Sequence, residues 1–274
     1  MKQKLLLGSV FLAVNLAICG QSVNYRTLSN IPYYAESLRA SDDYLAERCV
    51  LDLYYPENVE GFTTVVWFHG GGLSGGNKWI PDELKNKGFG IVAVNYRLYP
   101  KVLCPKYIED AAAAVAWVFN HISEYGGDRN KIFVAGHSAG AYLTGMLGLD
   151  KQWLQKYDID ADRIRGLFVL SSSTITHMTI RKERGIADTQ PVVDQYALLY
   201  HVRRDTPPVY LMTGDRELEM LGRYEENAYF LRMMKIVGNK QTVLLEFDGY
   251  GHDMLDPAFP LMVRYLKDFE KSGK

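Results

Sequence analysis

Residues Lys131–Gly145 read KIFVAGHSAGAYLTG. The β-branched and aromatic run Ile132, Phe133, Val134 has the composition of a strand, and the small and apolar residues after Gly140 have that of a helix. Between them stands Gly136-His137-Ser138-Ala139-Gly140, a G-x-S-x-G motif. Such a motif carries chemistry when the chain turns sharply from strand into helix, because the serine hydroxyl is then raised above the sheet edge. Gly136 and Gly140 suit that turn, since a side chain at either position would collide with the strand or helix across it. With glycine and serine each near ~7% of residues, the motif arises by chance in roughly one chain in ten of this length. Its meaning therefore rests on the flanking sequence.

Working outward, strands and helices alternate on both sides of Ser138. Upstream, residues 106–125 place Ile108, Ala112, Val115, Phe119 and Ile122 at three- and four-residue spacing, an amphipathic helix closed by Gly126-Gly127. Before it come the apolar strand Gly90–Tyr96, a short helix over Pro81–Lys87, and Thr63–Phe68 (TTVVWF), whose unbroken β-branched and aromatic run suits a strand buried on both faces. Arg48–Tyr55 alternates like an edge strand ended by Pro56, and Ser22–Glu47 lacks periodicity and is expected to wrap the surface. Downstream, Gly166–Leu170, Pro208–Met212 and Thr242–Phe247 read as strands, and Tyr224–Val237 and Pro257–Lys271 as helices. The alternation predicts an α/β fold, a mostly parallel central sheet with helices on both faces. Residues 173–205 are the least regular part, read either as an insertion that shapes a substrate pocket or as a plain surface excursion.

Two further stretches supply what a nucleophilic serine needs. The buried strand at Thr63–Phe68 runs into His69-Gly70-Gly71-Gly72, where amide N–H groups can point outward with no side chain in the way. That is the make-up of an oxyanion hole; a phosphate loop would continue into Gly-Lys-Ser/Thr, which is absent. A serine hydroxyl is a weak nucleophile near neutral pH and needs a base with a third group behind it. His252, on a glycine-flanked loop after the last strand, is the expected base, whereas His69 and His137 belong to the turns and His121 to a helix facing away. His177 and His201 read as ordinary polar loop residues. The acid is expected on the loop after Pro208–Met212, which offers Asp215 and Glu217. Aspartate is the commoner residue in this role and favours Asp215, register favours Glu217, and either keeps the chain order serine, acid, histidine.

Together, His69-Gly70-Gly71-Gly72, Gly136-His137-Ser138-Ala139-Gly140, Gly214-Asp215-Arg216-Glu217 and Gly251-His252 resemble the α/β-hydrolase superfamily, in its esterase and lipase branch with an HGGG loop. Glu109-Asp110, Trp117 and Tyr125-Gly126-Gly127-Asp128 resemble the bacterial carboxylesterases of that branch, and the likeness runs from about Arg48 onward. The resemblance implies an α/β-hydrolase fold with Ser138 as nucleophile, His252 as base, and the amides of Gly71, Gly72 and Ala139 as oxyanion donors. It places the acid three residues after Gly214, at Glu217, with Asp215 kept beside it. It further implies a serine esterase that uses no metal or cofactor and acts on small-molecule esters through an acyl-enzyme. The short stretch between Leu170 and Pro208 leaves little room for a large lid, which favours short or aromatic acyl groups, acylated carbohydrates among them. An amide-cleaving relative (formamidase or peptidase) and a non-catalytic binding module on the same fold are the alternatives.

The whole chain sets outer bounds. Its 274 residues, 47% hydrophobic and 23% charged, suit one globular domain, expected over residues 21–274. A formal net charge of −1 gives no electrostatic reason to expect nucleic acid or an anionic membrane as partner. Lys2 and Lys4 precede an apolar run from Leu5 to Ile18 that is too short for a comfortable span, followed by Cys19 and Gly20. This is the pattern of a secretory signal peptide over residues 1–20, and it predicts a periplasmic or secreted protein. Cys19 raises a lipid anchor as the alternative, against which Ile18 argues, because such sites usually have a small residue there. Cys49 and Cys104 remain, either a disulfide in an oxidising compartment or two small buried residues.

Overall fold

The computed structural model describes residues 23–220 and 222–272, so the expected signal peptide and Cys19 lie outside the described residues. One eight-stranded sheet organises them: β1 (Tyr25–Pro32), β2 (Val50–Pro56), β3 (Phe62–Phe68), β4 (Gly90–Val94), β5 (Gly127–His137), β6 (Gly166–Leu170), β7 (Val209–Gly214) and β8 (Thr242–Phe247). Their spatial order is β1-β2-β4-β3-β5-β6-β7-β8. From β4 to β8 every neighbouring pair is parallel, and β2 runs antiparallel to both β1 and β4. The helices are α1 (Glu36–Arg39), α2 (Asp43–Arg48), α3 (Lys106–His121), α4 (Ala139–Leu149), α5 (Gln152–Gln155), α6 (Met178–Glu183), α7 (Arg223–Ile236) and α8 (Leu255–Ser272). This is the expected α/β-hydrolase architecture.

The two-sided burial of β3 follows from its sequence. Successive side chains of a strand point to opposite faces. Val66 and Phe68 enter the core shared with the alanine-rich face of α3 (Ala111–Ala114) and with α4. Val65 and Trp67 enter the opposite core, against Phe259, Met262 and Leu266 of α8. A run such as Val65–Phe68 or Ile132–Ala135, apolar on both faces, is stable only where both faces are covered, and that condition places β3 and β5 in the middle of the sheet.

Two expectations are corrected, one for Ser22–Glu47 and one for the strand that follows it. Ser22–Glu47 does not merely wrap the surface: it contains β1, α1 and α2, so β2, expected at the edge, has a strand on either side. The alternation that would reveal β1 is broken by a register shift between Leu28 and Ile31, where Asn30 sits at φ 56°. Residues 173–205 hold α6 and a 3-10 turn at Leu198–His201, whose Ile180 and Leu198 are buried in the core. Cys49 and Cys104 are both free thiols, which removes the disulfide alternative.

Candidate active site

Ser138 stands between β5 and α4 with φ 55° and ψ −116°. A non-glycine residue held there costs on the order of 1–3 kcal/mol, and close backbone approach holds it. A Cβ on Gly140 would lie 2.1 Å from the Phe68 carbonyl oxygen, and one on Gly136 would lie 2.4 Å from that of Gly140. The Ser138 N–H donates to Leu170 O (2.8 Å), and its carbonyl accepts from Tyr142 N–H (3.0 Å). The hydroxyl is thus fixed at the carboxyl ends of the central parallel strands, where an α/β sheet forms its ligand crevice.

The loop after β3 lies alongside. A Cβ on Gly70 would come within 3.4 Å of Ser138 Cβ. Gly71 has φ 107°, open to glycine alone at little cost, and its carbonyl accepts from the N–H groups of Ser74 and Gly75 to close a tight turn. Among the described residues no protein acceptor takes the N–H groups of Gly71 and Gly72, and the Ala139 N–H is one of the free donors at the start of α4. The turn is braced from behind. His69 donates from Nδ1 to Gly70 O (2.6 Å), and its ring stacks on Tyr96 with 4.5 Å between centroids. Arg48 donates to Tyr96 O, Asn77 Oδ1 and Gly76 O, and the Thr179 hydroxyl donates to Gly72 O. Burial lowers the His69 pKa to about 4, so the brace is a neutral ring.

His252 faces Ser138. Its Nε2 accepts from the Ser138 hydroxyl at 3.0 Å, and the His137 Nε2–H donates to the His252 carbonyl at 2.8 Å, fixing the loop. Nδ1 lies 2.7 Å from Glu219 Oε1. A carboxylate only accepts, so Nδ1 carries the proton and Nε2 is left free to take one. The Glu219 side chain is fully buried. Burial by itself raises its pKa; hydrogen bonds from His252, the Met220 N–H and the Ser171 hydroxyl outweigh it and hold the carboxyl at about 2.

The carboxylate against the His252 ring is thus Glu219, and neither of the expected residues, Asp215 and Glu217, reaches it. After Gly214 the chain makes a helical turn in which the N–H groups of Leu218 and Glu219 both donate to Asp215 O. Residues four apart in such a turn share a face, and residues two apart point roughly oppositely. Glu219 consequently faces inward and Glu217 is exposed to solvent. The Asp215 carboxylate accepts from the Glu217 N–H (2.8 Å) and the Gly249 N–H (3.0 Å), tying this turn to the histidine loop. The sequence offers three carboxylates within five residues, and only the sense of one helical turn separates them. Ser171, also absent from the sequence reading, places its hydroxyl 2.8 Å from both Glu219 Oε2 and His252 Nδ1.

Next to Gly72 a cleft of about 510 Å³ opens, bounded by Tyr99, Met178, Thr179, Lys182 and Asp188. Three of these residues belong to α6 and a fourth follows it, so the stretch after β6 lines a cleft beside the glycine loop. His177 caps α6 through Nδ1, which accepts from the Thr179 N–H (3.2 Å), and burial lowers its pKa to about 3. His201 donates to Gln195 O (2.8 Å). Among the described residues, no group of three or more His, Cys, Asp or Glu side chains is placed to hold a metal, and no helix is long and apolar enough to cross a membrane.

Known proteins similar to this chain are named as esterases. The family model BD-FAE matches residues 51–220. Esterase LipC of Mycobacterium tuberculosis is 28% identical over 213 residues, 70% of this chain and 52% of that protein. A probable isoprenylcysteine alpha-carbonyl methylesterase of Arabidopsis thaliana, ICMEL1, is 34% identical over 249 residues, 81% of this chain and 51% of that protein. The chain thus spans about half the length of these curated relatives. Among solved structures, a truncated carbohydrate esterase from gut microbiota superposes with a TM-score of 0.72 at 16% identity, covering 93% of this chain and 99% of the other.

Proposed function

The chain belongs to the BD-FAE family, and from that premise we propose that it is a serine esterase cleaving carboxylic esters of short or aromatic acyl groups, acylated carbohydrates included. The observation that carries the reading is the line Ser138 Oγ, His252 Nε2, His252 Nδ1, Glu219 Oε1, with contacts of 3.0 and 2.7 Å, beside three amide N–H groups without protein acceptors. Ser138 attacks the ester carbonyl as His252 takes the hydroxyl proton at Nε2. The C–O double bond opens to an oxyanion, which accepts from the N–H groups of Gly71, Gly72 and Ala139. The imidazolium, balanced by Glu219, then gives its proton to the departing alcohol oxygen as the ester bond breaks. Water, losing its proton to the same nitrogen, attacks the acyl-enzyme and releases the acid and Ser138. Support for a sugar-sized substrate comes from the cleft beside Gly72, with its Tyr99 wall and polar rim. The segment at residues 1–20 extends the proposal to export into the periplasm or the medium.

Labelling with a fluorophosphonate probe tests the core of this reading. Wild type should label, Ser138→Ala should not, and kcat on 4-nitrophenyl acetate should fall by roughly five to six orders of magnitude in that variant. Absence of Ser138-dependent labelling in folded protein would leave the fold as a binding module. Faster turnover of a matched amide than of the ester would move the assignment to amide cleavage. Feruloylated and acetylated oligosaccharides, set against 4-nitrophenyl acetate, test the substrate class; Tyr99→Ala should raise KM for the oligosaccharides alone.

A further inference from the structure

Adjacent strands β5 and β6 each end in a serine held at positive φ, Ser138 at 55° and Ser171 at 53°. The proposed reaction uses only the first. Ser171 is completely buried and its backbone is clamped on both sides: its N–H donates to Met212 O (2.7 Å) and its carbonyl accepts from Arg223 Nη1 (2.7 Å). This fixes the hydroxyl between two groups of the site, Glu219 Oε2 and His252 Nδ1, each 2.8 Å away.

A hydroxyl has one proton, so the direction of these bonds is determined. Glu219 can only accept, and Ser171 therefore donates to Oε2. The lone pairs of Ser171 Oγ then face the Nδ1–H of His252, which is shared between Glu219 Oε1 and Ser171 Oγ. The opposite arrangement, with Ser171 donating to Nδ1, would move the ring proton to Nε2. It would also leave Glu219 Oε1 facing a bare nitrogen lone pair at 2.7 Å. Only the first arrangement leaves Nε2 able to take the Ser138 proton. We propose that Ser171 is a positioning residue for the His252–Glu219 pair, fixing the tautomer and ring plane of His252 and holding the second oxygen of Glu219. The inference rests on the esterase reading of the same site. The charged and titratable groups nearest it are Arg223 of α7, on the Ser171 carbonyl, and His137 of β5, bonded to the His252 carbonyl.

Ser171→Ala and Ser171→Gly separate positioning from folding, because glycine accepts a φ of 53° without strain and alanine does not. Both variants should lose on the order of 10–100-fold in kcat for 4-nitrophenyl acetate with KM little changed, the cost of one hydrogen bond to a charged group, while the glycine variant melts at or above the alanine variant. Without the hydroxyl, Glu219 has one donor fewer and its charge acts more fully on His252, so the acid limb of the kcat profile should move to higher pH. The downfield proton resonance of the His252 Nδ1–H should also shift. Wild-type kcat in the glycine variant, with an unmoved acid limb and resonance, overturns the proposal. Retention of hydrolysis in Ser138→Ala would instead remove the esterase reading beneath it.

Discussion

The two sides of His252 are built differently. On the nucleophile side, position is set by backbone. β3 and β5 run side by side, Gly140 brings α4 so near the Phe68 carbonyl that no Cβ fits, and Ser138 stands at φ 55° and ψ −116°. On the acid side, position is set by side chains and single hydrogen bonds. Glu219 comes from a short turn after β7 whose flanking residues are exposed, and it is held by the Ser171 hydroxyl and the N–H groups of Gly214 and Met220. The first side leaves no latitude at any of its atoms. The second reaches the same precision by converging several donors on one buried carboxylate.

Substitutions on the acid side should therefore discriminate sharply between neighbouring carboxylates. Glu219→Gln should lower kcat by about 10⁴-fold, the scale seen when a triad acid loses its charge and the histidine its tautomer. Glu217→Gln should leave kcat within about twofold of wild type, as expected for a side chain in water. Asp215→Asn should fall between them, because its carboxylate holds the Gly249 N–H and so the histidine loop. Steady-state kinetics on one ester with all three variants decides it; a loss in Glu217→Gln equal to that in Glu219→Gln would break the assignment. On the nucleophile side the comparison predicts damage to the fold as well as to rate. Gly140→Ala forces a methyl group against the Phe68 carbonyl and should cost about 3 kcal/mol, a drop of roughly 6–12 °C in Tm on a calorimetric scan. A Gly140→Ala protein as stable as wild type would mean that α4 can shift at no cost.

The same contrast explains what the sequence makes legible. Where backbone packs on backbone, only glycine fits, and Gly71, Gly136 and Gly140 mark the glycine loop and the serine turn in the sequence itself. The apolar runs of β3, β4 and β5 are legible for a related reason, since burial on both faces favours apolar residues at successive positions. Glu219 has no such mark. Asp215, Glu217 and Glu219 are alike as residues, and the choice among them depends on a helical turn only five residues long. Ser171 is still less visible, one member of the run Ser171-Ser172-Ser173, distinguished by its contacts in space. β1 is not legible in the sequence because the irregularity at Asn30 breaks its alternation and its outer face meets solvent.

The last difference between the two sides lies in how each responds to acid. The glycine loop after β3 depends on a histidine that is neutral when folded: burial lowers the His69 pKa to about 4, against an ordinary value near 6.5. As pH falls below about 6.5 the unfolded chain binds a proton there that the folded chain refuses until about pH 4. The stabilisation present above 6.5 is therefore lost across that window, on the order of 3 kcal/mol at most. His177, lowered to about 3 by burial, adds a loss of the same sign that extends to lower pH. Glu219 behaves differently. Its folded pKa, about 2, lies below the ordinary carboxylate value, so its contribution is complete above about pH 4.5 and lost between there and pH 2. Denaturant melts between pH 7 and 4 should accordingly show stability falling first through the histidines that brace the nucleophile side, with the Glu219 contribution intact until lower pH. In His69→Gln the whole curve should start lower, because the stacked ring on Tyr96 is lost, yet slope less between pH 6.5 and 4. A His69→Gln slope equal to that of wild type would place the acid sensitivity elsewhere than in the loop behind the oxyanion donors.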